Sequence, residues 1–432
     1  MIKLGIILLW AAIGMQSYAQ DTLSLNDAVN IALKNSLDIQ LAENNVEANT
    51  ILNNYGVAGG MPLVTAAINN TEQISTINQK LNTGVTINRN AAAVNNLNSN
   101  VTAGILLYNG NRVVATKGRL AQLQKQSEGL LNSQVQNIIG AVMTGYYDIV
   151  RQQSYLQTIE RSIDASRQQL MIVKTRQEVG LANNADLFQA QIDLNALEQT
   201  FQSQLLIIEQ AKTELLRLLT LKPDSAIHIR DTIIVNHDIR LDEVLNTIPQ
   251  NADIVAAQDQ VRINELIVKE TAALRYPSVR AVAGYNFNRN NAAAGQLLLN
   301  QNYGPNVGVT IGIPIYNGSV LKRQQRVAEV DVRNADLNRL ALIRDYEAQV
   351  VKSYQSYATT LKQLETERDN YNLSNQLLEL ALTRFQFKQA TIVDVKNAQQ
   401  SFEESGFRLV NLSFAAKSAE IELKRLANRL KL

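Results

Sequence analysis

Few side chains in this sequence combine a type and a spacing that could carry chemistry. The chain has two histidines, His228 and His237, set near Pro223 and Asp231. Two imidazoles in a non-helical linker fall short of the three or four ligands that hold zinc, so both are expected as exposed polar residues. There is no cysteine, which removes thiolate metal sites, disulfides and a cysteine nucleophile. A Gly-rich phosphate loop after a strand, Gly-x-Ser-x-Gly and His-Glu-x-x-His are all missing from the sequence. Carboxylates are numerous, but they fall at helical spacing from Lys and Arg, the pattern of a solvated helix face. Two of them stand apart. Asn183-x-x-Asp186 and Thr391-x-x-Asp394 each place an acid at the third position after a capping side chain, where it stabilises a helix start. Neither an enzyme nor a cofactor or metal site is expected.

The elements that must position these residues are unusual. The chain has 432 residues, 41 Lys and Arg against 39 Asp and Glu, and 46% hydrophobic residues. That balance supplies no basic face for nucleic acid. At the N-terminus Lys3, the apolar run Leu4–Met15 and the small residues Ser17 and Ala19 read as a secretory signal peptide over 1–19, cleaved after Ala19. No later run approaches the 18 or more apolar residues of a membrane helix. If the mature chain enters a membrane, it must do so as strands of a closed barrel. Without cysteine it has no lipid anchor on an N-terminal cysteine, so such a barrel would hold the membrane by itself.

The sequence is a tandem duplication. Tyr108-Asn109-Gly110 recurs as Tyr316-Asn317-Gly318, 208 residues on, and Arg176, Asp186, Ala190 and Gln191 recur at the same offset as Arg384, Asp394, Ala398 and Gln399. Upstream, Pro62 pairs with Pro277 at an offset of 215, so the second copy is about seven residues shorter in between. The Asn-, Thr- and Ser-rich segment 75–100 lies there and is expected as a loop. The first copy spans 20–225 and the second 241–432, joined by a linker at 226–240. Each opens with a helix, from Asn26 to about Asn54 and from Asp242 to about Arg275. Two strands follow in each copy, at about 62–74 and 99–108, then 277–288 and 306–315. In the last, Val307, Val309, Ile311, Ile313 and Ile315 alternate with small or polar residues, giving one greasy face. Arg280 falls on the polar face of its strand, a candidate for lining a pore. Asn-Gly at 109–110 and 317–318 supplies a positive φ to redirect the chain from strand to helix. Tyr108 and Tyr316 would either join an interfacial aromatic girdle or fill space beneath the barrel. Hairpins of two long helices occupy 111–221 and 318–428. Their apolar positions, such as Val135, Val142, Tyr146, Ile149, Leu156 and Ile163, repeat with coiled-coil spacing. From Val113 to Val179 no proline interrupts the pattern, and a helix over that stretch would extend about 100 Å.

Four strands are too few to close a barrel, since the smallest membrane barrels use about eight. Leu107-Tyr108-Asn109-Gly110 and Ile315-Tyr316-Asn317-Gly318 mark the strand-to-helix junctions. Val179-Gly180-Leu181 with Asp186, and Thr391-Ile392-Val393-Asp394-Val395, mark the inter-helix turns. With these features, in order and in both halves, the sequence resembles the TolC-like outer-membrane efflux family. The resemblance implies a mainly α homotrimer whose chains give four strands each to a twelve-stranded outer-membrane β-barrel, continued by a periplasmic α-helical barrel. It further implies a passive duct of a tripartite efflux or type I secretion system, working with a periplasmic adaptor (membrane fusion) protein and an inner-membrane transporter. In the family, acidic residues near the inter-helix turns constrict the periplasmic aperture, which makes Asp186, Asp394 and the neighbouring Asn397 the aperture candidates. The family pattern often has a second acid at the Asn397 position and a basic residue shortly before Asp394. Asn397 and Ala390 stand there instead and imply a network that is weaker or built otherwise. A periplasmic or secreted coiled-coil scaffold without a pore is the alternative, but it has no use for the greasy face of Val307–Ile315.

Overall fold

The computed structural model describes residues 22–430, so the signal segment at 1–19 lies outside the described residues. In order come α1 (Leu25–Asn35), α2 (Leu37–Leu52), β1 (Leu63–Lys80), β2 (Thr86–Tyr108), α3 (Arg112–Glu178) and α4 (Asn184–Leu218). The second half holds α5 (Leu241–Thr247), α6 (Ala252–Ala273), β3 (Ser278–Ala292), β4 (Leu299–Gly312), α7 (Val320–Gln386) and α8 (Ile392–Leu426). The chain divides into two compact units. One takes the residues through Glu43, Leu130–Ile254 and the chain from Ala341; the other takes Asn44–Gly129 and Val255–Leu340.

The duplication reaches down to backbone dihedrals. Helices α3 and α7 each run 67 residues, and α4 and α8 each run 35. Four pairs of residues 208 apart share a left-handed conformation: Gly110 and Gly318, Asn111 and Ser319, Gly180 and Lys388, Thr220 and Asn428. Equal spacing of forced turns is what keeps the two hairpins the same length.

In the first unit the coiled-coil seams form as the spacing predicts. Val142, Tyr146, Ile149 and Leu215 are buried together with Ala28, Val29 and Ala32 of α1. Val350, Tyr357, Leu423 and Leu426 are buried with Val244 and Ile248. Close approach demands small residues at one crossing: a Cβ on Gly406 of α8 would sit 2.5 Å from the Thr158 methyl of α3.

Two expected helices are broken, and at equivalent places. The helix expected from Asn26 to Asn54 ends its first part at Ser36, whose N–H donates to the Ala32 carbonyl and whose hydroxyl accepts from Ile39 N–H at 3.4 Å. In the second copy the break follows Pro249. Asn251, 215 residues after Ser36, takes extended dihedrals and its Oδ1 accepts from Asp253 N–H at 2.9 Å. A short polar side chain that serves an orphan helical N–H makes such a break cheap. A reading of the helical carboxylates as solvated also fails in places. Glu420 of α8 is 1% exposed, because the linker lies over that face and Asn236 N–H donates to its carboxylate at 2.9 Å.

The second unit carries one antiparallel sheet in the order β1-β2-β3-β4, with β1 and β4 as free edges. Here the expected loop at 75–100 is corrected. β1 runs on to Lys80, β2 starts at Thr86, and only a tight turn around Gly84 (φ 86°) separates them. The length difference between the copies thus lies largely in longer strands. Asparagines suit strand ends when their amides bond across the sheet. Asn290 donates to Asn96 at 2.7 Å, Asn288 to Asn302 at 2.9 Å and Asn286 to Asn306 at 3.1 Å. β4 is also corrected: it spans 299–312 rather than 306–315, stopping two residues before Pro314, which has no N–H for the ladder.

Strand register sorts the two faces. Thr102 pairs with Thr65 and Gly284, and Gly284 with Asn306, so Asn96, Asn98, Asn100, Asn286, Asn288 and Asn302 share one face. The opposite face presents Val64, Ile68, Val101, Tyr285, Tyr303, Val307, Val309 and Ile311, all exposed, with Val307 at 86%. The apolar stretch Tyr303–Ile311 has the 9–11 residue length that a tilted strand needs to cross a bilayer.

Candidate functional site

At the strand-to-helix junctions the turn chemistry differs from the expected Asn-Gly pair by one residue. The left-handed residues are Gly110-Asn111 (φ 65° and 65°) and Gly318-Ser319 (φ 66° and 64°). Asn109 instead serves the start of α3: its carbonyl accepts from Arg112 N–H at 3.2 Å and its Oδ1 from Val113 N–H at 3.4 Å. The Asn317 carbonyl does the same for Val320 N–H at 3.3 Å. Tyr108 ends β2 opposite Val279, and Tyr316 lies beyond the end of β4; both are exposed. Arg280 sits on the Asn-lined face, opposite Leu106 on one side and Thr310 on the other.

At the helix-hairpin turns, the Asn183 side chain caps α4, and Thr391 caps α8 together with Asp394. Asn183 Oδ1 accepts from Asp186 N–H at 2.8 Å. Thr391 and Asp394 form a reciprocal capping box, in which Thr391 N–H donates to Asp394 Oδ2 at 2.7 Å and Asp394 N–H to Thr391 Oγ1 at 3.2 Å. The Thr391 backbone N–H, then its hydroxyl, then the more distant Arg384, hold the Asp394 carboxyl below its ordinary range. Asp394 is exposed and ionised at neutral pH, and Asn397 is exposed one turn later. Gly180 and Lys388 take the left-handed position that ends α3 and α7.

These turns rest on a shared core of Val173, Ala190, Phe385, Val395 and Phe402. Two polar ties beside it were not read from the sequence. Arg176 donates to the Phe385 carbonyl with its guanidinium 4.4 Å over the Phe385 ring, and Lys396 pairs with Asp193 at 2.8 Å. The repeat placed Arg176 opposite Arg384, but their partners diverge, since Arg384 reaches the Gln389 carbonyl of its own turn at 3.4 Å. Only the packing of one hairpin on the other shows this. His228 and His237 are both exposed in the linker. Among the described residues, no group of three or more His, Cys, Asp and Glu is arranged to hold a metal ion, and no helix is long and apolar enough to cross a membrane.

The family described as outer membrane efflux protein matches residues 28–221 and 246–429, one stretch in each copy. The chain belongs to the outer membrane efflux protein family. Its relatives are distant in sequence. Outer membrane protein TolC of Vibrio cholerae is 22% identical over 332 residues, covering 71% of each chain. A Haemophilus influenzae protein is 23% identical over 290 residues, which are 66% of this chain and 62% of that protein. The fold is held far more closely. The outer membrane protein VceC of Vibrio cholerae superposes with a TM-score of 0.78 over 94% of this chain and 96% of that one, at 18% identity. The fold and family of this efflux protein are those of a channel rather than of an enzyme.

Proposed function

We propose that this efflux protein is a passive duct built from three copies, whose sheets join edge to edge into a twelve-stranded barrel in the outer membrane. The observation that carries this reading is the sheet itself. It is open at β1 and β4, and one face exposes Val307, Val309 and Ile311 while the other is lined with asparagine. Free edges invite pairing with another chain, an apolar outer face suits lipid, and a carboxamide-lined face suits a water-filled lumen. The strands hold the membrane without a lipid anchor. The helical hairpins continue the conduit into the periplasm, where an adaptor protein joins it to an energised inner-membrane transporter of an efflux or type I secretion system. Asp186, Asp394 and Asn397 border the periplasmic aperture, and Tyr108 and Tyr316 lie at the membrane interface.

Membrane fractionation tests this against a pore-free scaffold. The chain is expected in the outer-membrane fraction, released only by detergent, as a trimer that dissociates on heating. Recovery as a soluble protein, or as a monomer in mild detergent, would exclude the duct. A second expectation concerns the aperture: Asp394→Asn removes up to three like charges from a narrow ring, which should change single-channel conductance and weaken divalent-cation block several-fold. Conductance and block identical to wild type would remove Asp394 from the aperture.

A further inference from the structure

At the helix-proximal end of the sheet, a cavity of about 560 Å³ is lined by Leu106, Asn109, Arg112, Tyr276, Arg280 and Pro314, among others. Two of these are arginines from distant parts of the sequence, brought together because β2 pairs with β3 and α3 starts directly after β2. Both are exposed, and neither is in an ion pair with an acid among the described residues. No carboxylate lines the cavity. The strands hold five charged side chains, Glu72, Lys80, Arg89, Arg280 and Arg289, and only Arg280 lies in the helix-proximal rows. Its neighbours leave it room. The guanidinium passes over Gly104, where an added Cβ would be 3.7 Å from Arg280 Nη1, and Thr310 stands opposite on β4.

The repeat supplies the second observation. The position equivalent to Arg112 is Val320 and that equivalent to Arg280 is Thr65. Each position is therefore occupied by a side chain other than arginine in the other copy, so neither the strand nor the helix start requires an arginine there. A guanidinium is weakly hydrated and presents a planar fork to carboxylate or phosphate oxygens. The cavity holds many times the roughly 30 Å³ of a water molecule, enough for a partly hydrated anion.

We infer that Arg112 and Arg280 form an anion-binding site at the base of the barrel that favours solutes carrying carboxylate or phosphate groups. The inference rests on the duct reading, in which Arg280 is on the lumenal face and three copies bring six arginines around one throat. Lipid phosphate would present the same chemistry, but the lipid-facing side of the sheet is the opposite one.

Single-channel recording in planar bilayers tests the site, with tripolyphosphate added on the barrel side as the probe. Tripolyphosphate is expected to block the wild-type channel. Arg280→Gln and Arg112→Gln should each raise the half-blocking concentration about tenfold or more, the weight of one charge-assisted contact, while Arg280→Lys, which keeps the charge but loses the planar fork, should fall between wild type and Arg280→Gln. A conducting wild-type channel that tripolyphosphate does not block, or glutamine variants blocked like wild type, would overturn the inference. Replacing phosphatidylglycerol by phosphatidylcholine should leave the block unchanged. Block that emerges only without the anionic lipid would assign the pair to lipid phosphate and overturn the solute site. A purified chain that conducts nothing would count against the duct. Calorimetric titration of the detergent-solubilised protein with tripolyphosphate still reads the arginine pair in that event, with the same tenfold loss expected in each glutamine variant and equal affinities counting against the site.

Discussion

Gly110→Ala is expected to destabilise the protein by about 3 kcal/mol, and Gly318→Ala by only about 1 kcal/mol, although the two glycines occupy equivalent turns. Both hold φ near +65°, where a Cβ costs about 1–2 kcal/mol. What separates them within one chain is space. A Cβ on Gly110 would lie 2.7 Å from Tyr276 Cβ and 2.9 Å from the Ala273 carbonyl oxygen, whereas one on Gly318 meets nothing within 4 Å. Ala273 ends α6 and its carbonyl is backbone, so the neighbour cannot turn aside, and overpacking of this kind adds about 1–3 kcal/mol. Urea denaturation of the detergent-solubilised protein, followed by far-UV circular dichroism, gives both values. Equal losses for the two variants would mean that the first junction relaxes freely.

Glu420→Gln is expected to cost about 3 kcal/mol, the scale of breaking a buried ion pair from one side. Glu420 is 1% exposed and accepts from Lys417 at 3.0 Å, Lys424 at 2.5 Å and Asn236 N–H at 2.9 Å. Lys417 in turn donates to the Ile234 carbonyl at 2.8 Å and sits 5.2 Å over the Tyr147 ring. The network fastens the linker between the two copies to α8, and neutralising Glu420 would leave Lys417 in a poorly hydrated site. A pH signature accompanies it. Burial pushes the Glu420 carboxyl up, but Lys424, the Asn236 N–H and Lys417 outweigh burial and hold it below its ordinary 4.5. A carboxylate with a depressed folded-state value contributes stability that is complete above its unfolded value and is lost as pH falls through the folded one. Wild type should therefore lose stability increasingly below about pH 4.5, and Glu420→Gln should flatten part of that fall. Parallel pH profiles for the two proteins would contradict this role.

Features that depend on local spacing were legible in the residues alone. Coiled-coil periodicity marked the seams through Val142, Tyr146 and Tyr357, and the 208-residue offset set two hairpins of equal length. The caps at Asn183 and Thr391 were legible because a capping box is a contact between residues three apart. The alternation at Val307–Ile311 was legible because a strand's two faces repeat with period two. Tertiary structure alone decided whatever depends on a partner far away in the chain. An asparagine-rich run has the composition of a loop, and it became strand because Asn96 meets Asn290 across the sheet. Glu420, at helical spacing from two lysines, looked solvated until the linker covered it. Gly110 and Gly318 look identical in sequence, yet α6 crowds only the first. Arg112 and Arg280 came to share one cavity only when β2 paired with β3. Periodicity records which face of an element is apolar, but it carries no record of what comes to lie against that face.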